Sequence, residues 1–348
     1  MSEAKRVFVT GASGFIAKHI VLMLLQAGFQ VTGSVRSNQR AIEVIEAIRP
    51  HLANDVDLNE ALAFVELDLN SDDGWDEALE NIDILLHTAS PVPTGIPKNE
   101  DDVIRPAVDG TLRALRAASR NNVKRVIVTS SIAAVAYRAD LQQETAFDES
   151  HWSDIDHPTC LPYAKSKTLA EKAAWDFVKK QAPEMQLTTI NPGFVFGPPL
   201  DSHFQSSMYV LLRMLAARDP ALPKIGFNAV DVRDIARMHV RAINKCETHG
   251  QRIIGVSGFV WIQQVAQILI TAHPARKIVM RTAPNWLIRL LALFDRQLRS
   301  IVPGLGRETR ISAKRAQQLL DIEFIDIDRS ITEASNYIVE HDLCLLYT

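Results

Sequence analysis

Residues 6–37 read RVFVTGASGFIAKHIVLMLLQAGFQVTGSVRS. The β-branched and aromatic run Val7–Val9 predicts a buried parallel strand, and the glycine-punctuated stretch Thr10–Gly14 predicts a turn behind it. From Phe15 to Leu25 apolar residues recur at helical spacing, and Gly28 supplies a stop before a second strand over Gln30–Val35. The small residues fall as G-x-x-G-x-x-A, with Gly11 permitting a tight turn, Gly14 letting the main chain approach a pyrophosphate, and Ala17 letting the helix sit close on the strand. The helix then points free N–H groups and the positive end of its dipole at the phosphates. A lone glycine motif also marks ordinary turns, but the strand–turn–helix–strand context selects dinucleotide binding, with Gly11, Ser13, Gly14, Phe15 and Ile16 as the contacts.

The acidic residue that ordinarily reads a ribose at the end of the second strand is missing, and Arg36 stands there with Arg40 close behind. A carboxylate would repel a 2′-phosphate, whereas a guanidinium pairs with it through two hydrogen bonds. NADP(H) is therefore the expected cofactor, the bland reading of both arginines being a solvated surface.

The remaining composition narrows the class. In 348 residues, 38 basic side chains nearly balance 41 acidic ones, so no whole-chain field points to nucleic acid or a membrane surface. The apolar stretch Trp286–Phe294 is interrupted by Arg289 and is too short to span a bilayer; of two readings, an interfacial helix and an amphipathic helix packed over the substrate lobe or its mouth, the second is the expectation. Strand residues begin almost at once after MSEAKR, which leaves no room for a signal peptide and gives a cytoplasmic expectation. Cys160, Cys246 and Cys344 are too scattered for a disulfide framework, and no Cys/His spacing suggests a metal.

Further along, a helix over Arg40–Ile48 leads to a third strand, Leu62–Glu66, followed by Asp68 and Leu69, which either meet an adenine edge or cap a helix over Ser71–Leu79. A fourth strand, Ile82–His87, runs into TASPVP, where Thr88, Ala89 and Ser90 pass near a dinucleotide. A helix over Asp101–Asn121 and a fifth strand over Lys124–Thr129 follow, the strand ending at Thr129 with Ser130 and Ser131 beyond it. Ala139–Pro162 is polar, acidic and aperiodic, a long loop of the functional kind. A helix over Tyr163–Gln181, a sixth strand over Leu187–Ile190 and an irregular turn over NPGFVFGPP come next. The rest predicts a helix over Ser206–Ala217, a short strand near Ile225, a helix capped by Asp231, and short mixed elements. Alternation of this kind makes a doubly wound parallel sheet of the Rossmann type, an α/β fold with ligands above the carboxyl ends of its strands. The domains are then 1–190, binding the dinucleotide, and 191–348, a smaller mixed substrate lobe whose segment at about 227–245 returns to the first.

On a helix, Tyr163 and Lys167 lie one turn apart and share a face. The lysine charge favours the phenolate and draws a tyrosine's pKa of about 10 toward neutrality, as acid–base work requires. With a serine hydroxyl on a carbonyl oxygen and a nicotinamide to carry hydride, Ser131, Tyr163 and Lys167 complete the parts for carbonyl reduction. His87 reads as a packed histidine, Asp231 and Asp234 as caps and fold-stabilising pairs, and Cys160 as bordering the cleft or simply packed.

TGASGFIA at Thr10–Ala17, TSS at Thr129–Ser131, YAKSK at Tyr163–Lys167, NPGFVFGP at Asn191–Pro198 and VDVRD at Val230–Asp234 occur in one order across about two-thirds of the chain. In these motifs the sequence resembles the extended short-chain dehydrogenase/reductases, and within them the dihydroflavonol 4-reductase-like aldehyde and ketone reductases. The resemblance implies that Ser131 rather than Ser130 is catalytic, that Lys167 also bonds the nicotinamide ribose, that Pro192, Gly193 and Val195 line the nicotinamide, and that Ser206 or Ser207 touches a cofactor phosphate. Arg113 stands where many sugar epimerases of that superfamily carry an asparagine after Gly110-Thr111-Leu112, which weakens a nucleotide-sugar reading. The expectation is an NADPH-dependent reductase of a small, largely apolar carbonyl compound, monomeric or homodimeric. The alternatives are an epimerase, a hydroxysteroid dehydrogenase or a non-catalytic NADP sensor.

Overall fold

The computed structural model describes residues 5–91, 97, 99–137, 146–157, 160–203 and 206–344, with the side chain of Ser206 excluded. The elements in chain order are β1 (Arg6–Thr10), α1 (Phe15–Gln26), β2 (Gln30–Val35), α2 (Asn38–Ile48), α3 (Leu58–Ala61), β3 (Leu62–Glu66), α4 (Trp75–Ala78), β4 (Ile84–His87), α5 (Asp101–Arg120) and β5 (Arg125–Thr129). There follow α6 (Pro162–Gln181), β6 (Gln186–Pro192), β7 (Phe194–Phe196), α7 (Ser206–Leu215), β8 (Gly226–Asp231), α8 (Val232–Asn244), β9 (Gln251–Gly255), β10 (Gly258–Trp261), α9 (Ile262–Ala272), α10 (Asn285–Leu291), α11 (Arg296–Ile301), α12 (Lys314–Leu320) and α13 (Ile327–Glu340).

Seven strands form one parallel sheet in the order β3-β2-β1-β4-β5-β6-β9. The order reverses direction between β1 and β4, so a crevice opens above their carboxyl ends, where dinucleotides bind in doubly wound sheets. The interior strands are apolar on both faces because helices cover both: α1 and α8 pack on one side, α5 and α6 on the other. A second, three-stranded sheet, β10-β8-β7, carries the remaining elements.

Four expectations are corrected. NPGFVFGPP is not a loose turn: β6 continues through Pro192 and, after Gly193, becomes β7 of the small sheet. Pro192 is tolerated because β6 outruns β5, whose last partner on it is Ile190, so no neighbour on that side needs the missing N–H. The helix expected over Ser71–Leu79 shrinks to α4, since Gly74 at φ +77° breaks it and Asp68 instead closes an Asx turn on the Asn70 amide at 2.9 Å. The strand near Ile225 is instead the six-residue β8, which begins at Gly226 and runs through Asp231, while the helix is capped by Asp231 as expected, its side chain accepting from the Arg233 amide at 2.8 Å. Finally, Trp286–Phe294 does not bury its apolar face. Ile288 is covered, but Trp286, Leu290, Leu291, Leu293 and Phe294 stand exposed.

Candidate active site

β1 ends in the turn that begins the site. Gly11 takes φ +65° and lies so close to the start of the β4 loop that an added Cβ would sit 3.0 Å from that of Ala89. Thr10 welds the two together: its Oγ1 accepts from the Thr88 and Ala89 amides, each at 3.0 Å, and Thr88 Oγ1 donates back to the Thr10 carbonyl. Gly14 is the N-cap of α1 and brings no side-chain acceptor, so the first-turn amides of Phe15 and Ile16 have no capping group. An uncapped, glycine-floored helix N-terminus at the reversal of the sheet fits a pyrophosphate. The helix is held from behind by Lys18, buried and paired with Asp201, and by His19, whose Nε2 donates to the Pro198 carbonyl at 3.1 Å. Burial drops the His19 pKa to about 4, so the ring is neutral.

At the edge of β2, Arg36 is exposed with no carboxylate partner among the described residues, whereas Arg40 is paired with Glu43 at 2.7 Å. Of the two, Arg36 is the free guanidinium. Leu69 packs its side chain on Gly110 of α5, and its carbonyl accepts from Arg113. Ser90 is half-buried in the loop after β4. Thr129 is engaged through its hydroxyl by His239 at 2.7 Å, leaving only its main chain for a ligand. Gly193 donates its N–H to the Gly255 carbonyl at 2.9 Å, and Val195 is buried in β7. Ser206 opens α7, but its side chain lies outside the described residues.

Ser131, Tyr163 and Lys167 converge above the carboxyl end of β5. Ser131 caps a short turn through the Ala133 amide at 3.1 Å, and its hydroxyl acts to lower the pKa of Tyr163. Lys167 is buried with its Nζ 5.9 Å from the Tyr163 ring centroid. Its pKa falls to about 8, because desolvation outweighs the Glu171 charge that raises it. The expected depression of Tyr163 is not found in the protein alone: burial pushes the phenol up, and only the Ser131 hydroxyl pulls it back. Burial is the dominant cause, and Lys167 is not among the influences acting on the phenol. His87 is fully buried and neutral, its pKa pushed down to about 3 by burial and then by Lys167. Because Thr10 Oγ1 already accepts two amides, its hydroxyl proton goes to His87 Nδ1 at 3.0 Å, which leaves the ring proton on Nε2.

Beneath the triad lies a polar hub that the sequence reading missed. Glu171, one turn beyond Lys167 on the same face of α6, is buried and accepts from Ser130 Oγ (2.5 Å), Asn191 Nδ2 (2.7 Å), Thr189 Oγ1 (3.0 Å) and Arg252 Nε (2.6 Å). Asn191 also donates to the Ser131 carbonyl at 3.2 Å, so the hub reaches the Ser131 loop directly. Arg252, on β9, further donates to the carbonyls of Glu149 and His151 and stacks on Trp152 at 3.6 Å, pinning the 146–157 segment. The signal was present as Tyr163, Lys167 and Glu171 at successive four-residue steps. Tyr137 and Cys160 pack beside Tyr163 on the open side. Asp231 and Asp234 are structural: the first pairs with Arg233, and the second with Arg237 and the Ile325 amide. No group of three or more metal-ligating side chains occurs among the described residues.

A doubly wound sheet with a glycine-floored crevice, and a Tyr-x-x-x-Lys pair beside a serine, defines a short-chain dehydrogenase/reductase of the extended kind. The sequence profile of the NAD dependent epimerase/dehydratase family matches residues 7–256, and the chain belongs to that family. Among curated relatives, a putative NADPH-dependent methylglyoxal reductase of Candida albicans, GRP2, is 32% identical over 97% of this chain and 100% of its own length. The ketoreductase azaE of Aspergillus niger is 35% identical over 78% of this chain and 84% of its own. Among solved structures, yeast methylglyoxal/isovaleraldehyde reductase Gre2 complexed with NADPH superposes with a TM-score of 0.81 at 29% identity, covering 97% of this chain and 99% of that one.

Proposed function

We propose that the protein is an NADPH-dependent reductase of the aldehyde or ketone carbonyl of a small, largely apolar compound, with Tyr163 as proton donor. The observation that carries this reading is the convergence of Ser131 and Tyr163 with buried Lys167 one turn below, at the mouth of a crevice floored by Gly11 and Gly14. Relatives named as NADPH-dependent methylglyoxal reductases and a ketoreductase support the same chemistry. The division into a dinucleotide layer, 1–190 with α8 and β9 returning to it, and a substrate lobe is part of the proposal.

NADPH, when bound, supplies the hydride. The α1 N-terminus holds the diphosphate and Arg36 pairs with the 2′-phosphate. Lys167 bonds the ribose hydroxyls, and Thr88, Ala89, Pro192 and Gly193 offer main-chain contacts. Ser131 orients the carbonyl oxygen, which gains negative charge as the bond is reduced, and Tyr163 gives that oxygen its proton. The tyrosine starts above its ordinary pKa, so it is fully protonated at neutral pH and ready as an acid. Phe194 and Phe227, stacked at 4.4 Å on the small sheet, give the lobe an apolar wall. A nucleotide-sugar substrate is disfavoured because Arg113, tied to Asp72 and the Leu69 carbonyl, stands where many sugar epimerases carry an asparagine.

Purified protein mixed with NADPH and a panel including methylglyoxal, aliphatic and aromatic aldehydes and diketones should consume the cofactor's near-ultraviolet absorbance. No turnover across the panel would overturn the reading.

A further inference from the structure

The balanced charge of the whole chain averages away a local surplus. Between Arg276 and Arg310 there are eight lysines or arginines and two acidic residues, in a chain that is −3 overall. One of the two acids, Asp295, is occupied as the N-cap of α11, accepting from the Gln297 amide at 2.7 Å. At the centre of this stretch, α10 and the turn after it raise Trp286, Leu293 and Phe294 into solvent, at 68%, 65% and 86% exposure, with Leu290 and Leu291 beside them. Side chains so exposed line no groove; they protrude. Arg289 lies on α10 among them. Arg299 donates to the Ala292 carbonyl at 3.1 Å and the Leu293 carbonyl at 3.0 Å, which sets its guanidinium at the base of the apolar tip. Arg289, Arg296 and Arg299 have no carboxylate partner among the described residues.

We infer that this tip is a membrane-docking surface, specific for anionic phospholipid, which holds the protein on the face of a bilayer without crossing it. No helix among the described residues is long and apolar enough to cross. The chemistry of the tip is that of a peripheral anchor. Trp, Phe and Leu side chains enter the boundary between headgroups and acyl chains, while unpaired arginines at their base meet lipid phosphates and serine carboxylates. A second copy of this chain is a poorer occupant. Two-fold self-pairing of the protrusion would bring like-charged arginines together. A stable protein interface also buries about 800 Å² per partner, more than one short turn presents.

The test is sedimentation of the full-length protein with vesicles of phosphatidylcholine alone, or of phosphatidylcholine mixed with phosphatidylserine, at low and high salt. The wild type should pellet with the mixed vesicles and not with phosphatidylcholine, and high salt should release it. Leu293→Ser/Phe294→Ser should weaken partitioning by on the order of tenfold. Arg289→Glu/Arg296→Glu should abolish the preference for phosphatidylserine. All four positions are exposed and outside the site, so soluble NADPH turnover by both variants should match the wild type and report intact folding. Failure to bind anionic vesicles, binding undiminished in Leu293→Ser/Phe294→Ser, or a patch-dependent dimer that binds no vesicle would each overturn the inference.

Discussion

Arg252 donates its Nε proton to Glu171 Oε1 at 2.6 Å, an ion pair almost wholly shut away from water between β9 and α6. A buried pair stabilises little by itself, but breaking it leaves an uncompensated charge. Here the carboxylate also fixes Ser130 and Asn191, and through Asn191 the main chain of Ser131. It is a positioning group whose charge also reaches Lys167.

That charge raises the Lys167 pKa against the desolvation that brings it to about 8. If the ammonium form binds the ribose, NADPH affinity is full below pH 8 and falls as pH rises through it. Replacing Glu171 with Gln removes the raising influence and keeps the shape, so the break in NADPH affinity should move to lower pH. Titrating the cofactor by fluorescence between pH 6 and pH 9.5 measures this. A variant that is merely less stable, with the break unmoved, would refute the electrostatic link.

The triad gives a pattern rather than a single number. Tyr163→Phe should nearly abolish kcat while leaving NADPH binding almost unchanged, and Lys167→Ala should damage both. Ser131→Ala should lower kcat by roughly 10²–10³, the usual cost of losing one donor to a developing oxyanion. Steady-state kinetics with cofactor titrations on all three variants distinguish these roles; a Lys167→Ala enzyme normal in both would remove the lysine from the site.

The proposed reader of the 2′-phosphate is Arg36. Arg36→Asp exchanges a free guanidinium for a carboxylate and should swing the NADPH/NADH ratio of kcat/KM toward NADH by a few kcal/mol, about 10²-fold. Arg40 is tied to Glu43, so Arg40→Ala should change the ratio much less. Equal effects of the two substitutions would contradict the assignment.

Three buried histidines predict acid lability. Folding holds His19 and His239 at pKa values of about 4 and His87 at about 3, against 6.5 when unfolded. Below pH 6.5 the unfolded chain therefore takes up protons that the native protein refuses. Stability should fall as pH drops from 6.5 toward 4, by up to about 1.4 kcal/mol per pH unit for each histidine. Urea midpoints at pH 7.5, 6 and 5 should decline in that order; a flat series would mean that the rings are charged in the fold.

The sheet was largely legible. Strands β2 and β3 have the bounds that the sequence predicts, although β2 carries Thr32, Gly33 and Ser34 and β3 is a half-exposed edge strand. Tyr163 and Lys167 were legible because one helix carries both. Glu171 escaped notice since its meaning comes from Arg252, Asn191 and Ser130, which only the sheet order brings beside it. The β6–β7 strand escaped for the opposite reason: Pro192 and Gly193 signal a break locally, while the overhang beyond β5 and the tight fit of Gly193, where a Cβ would lie 2.3 Å from the Asn228 carbonyl oxygen, make that sequence the one the crossing requires. Trp286–Phe294 shows that periodicity identifies an apolar face without telling what it touches.

The strand that leaves the large sheet at Pro192 and enters the small one at Phe194 is a spar common to both halves of the molecule. Gly193 is tied to Gly255 on one side and wedged against Asn228 on the other, so the halves cannot part like a jaw without breaking the spar. The 146–157 segment is tied down as well, since Arg252 holds the Glu149 and His151 carbonyls, so this wall of the cleft is anchored to the large sheet. A fixed frame of this kind leaves the shape of the cleft to the side chains along its rim rather than to how far two bodies swing.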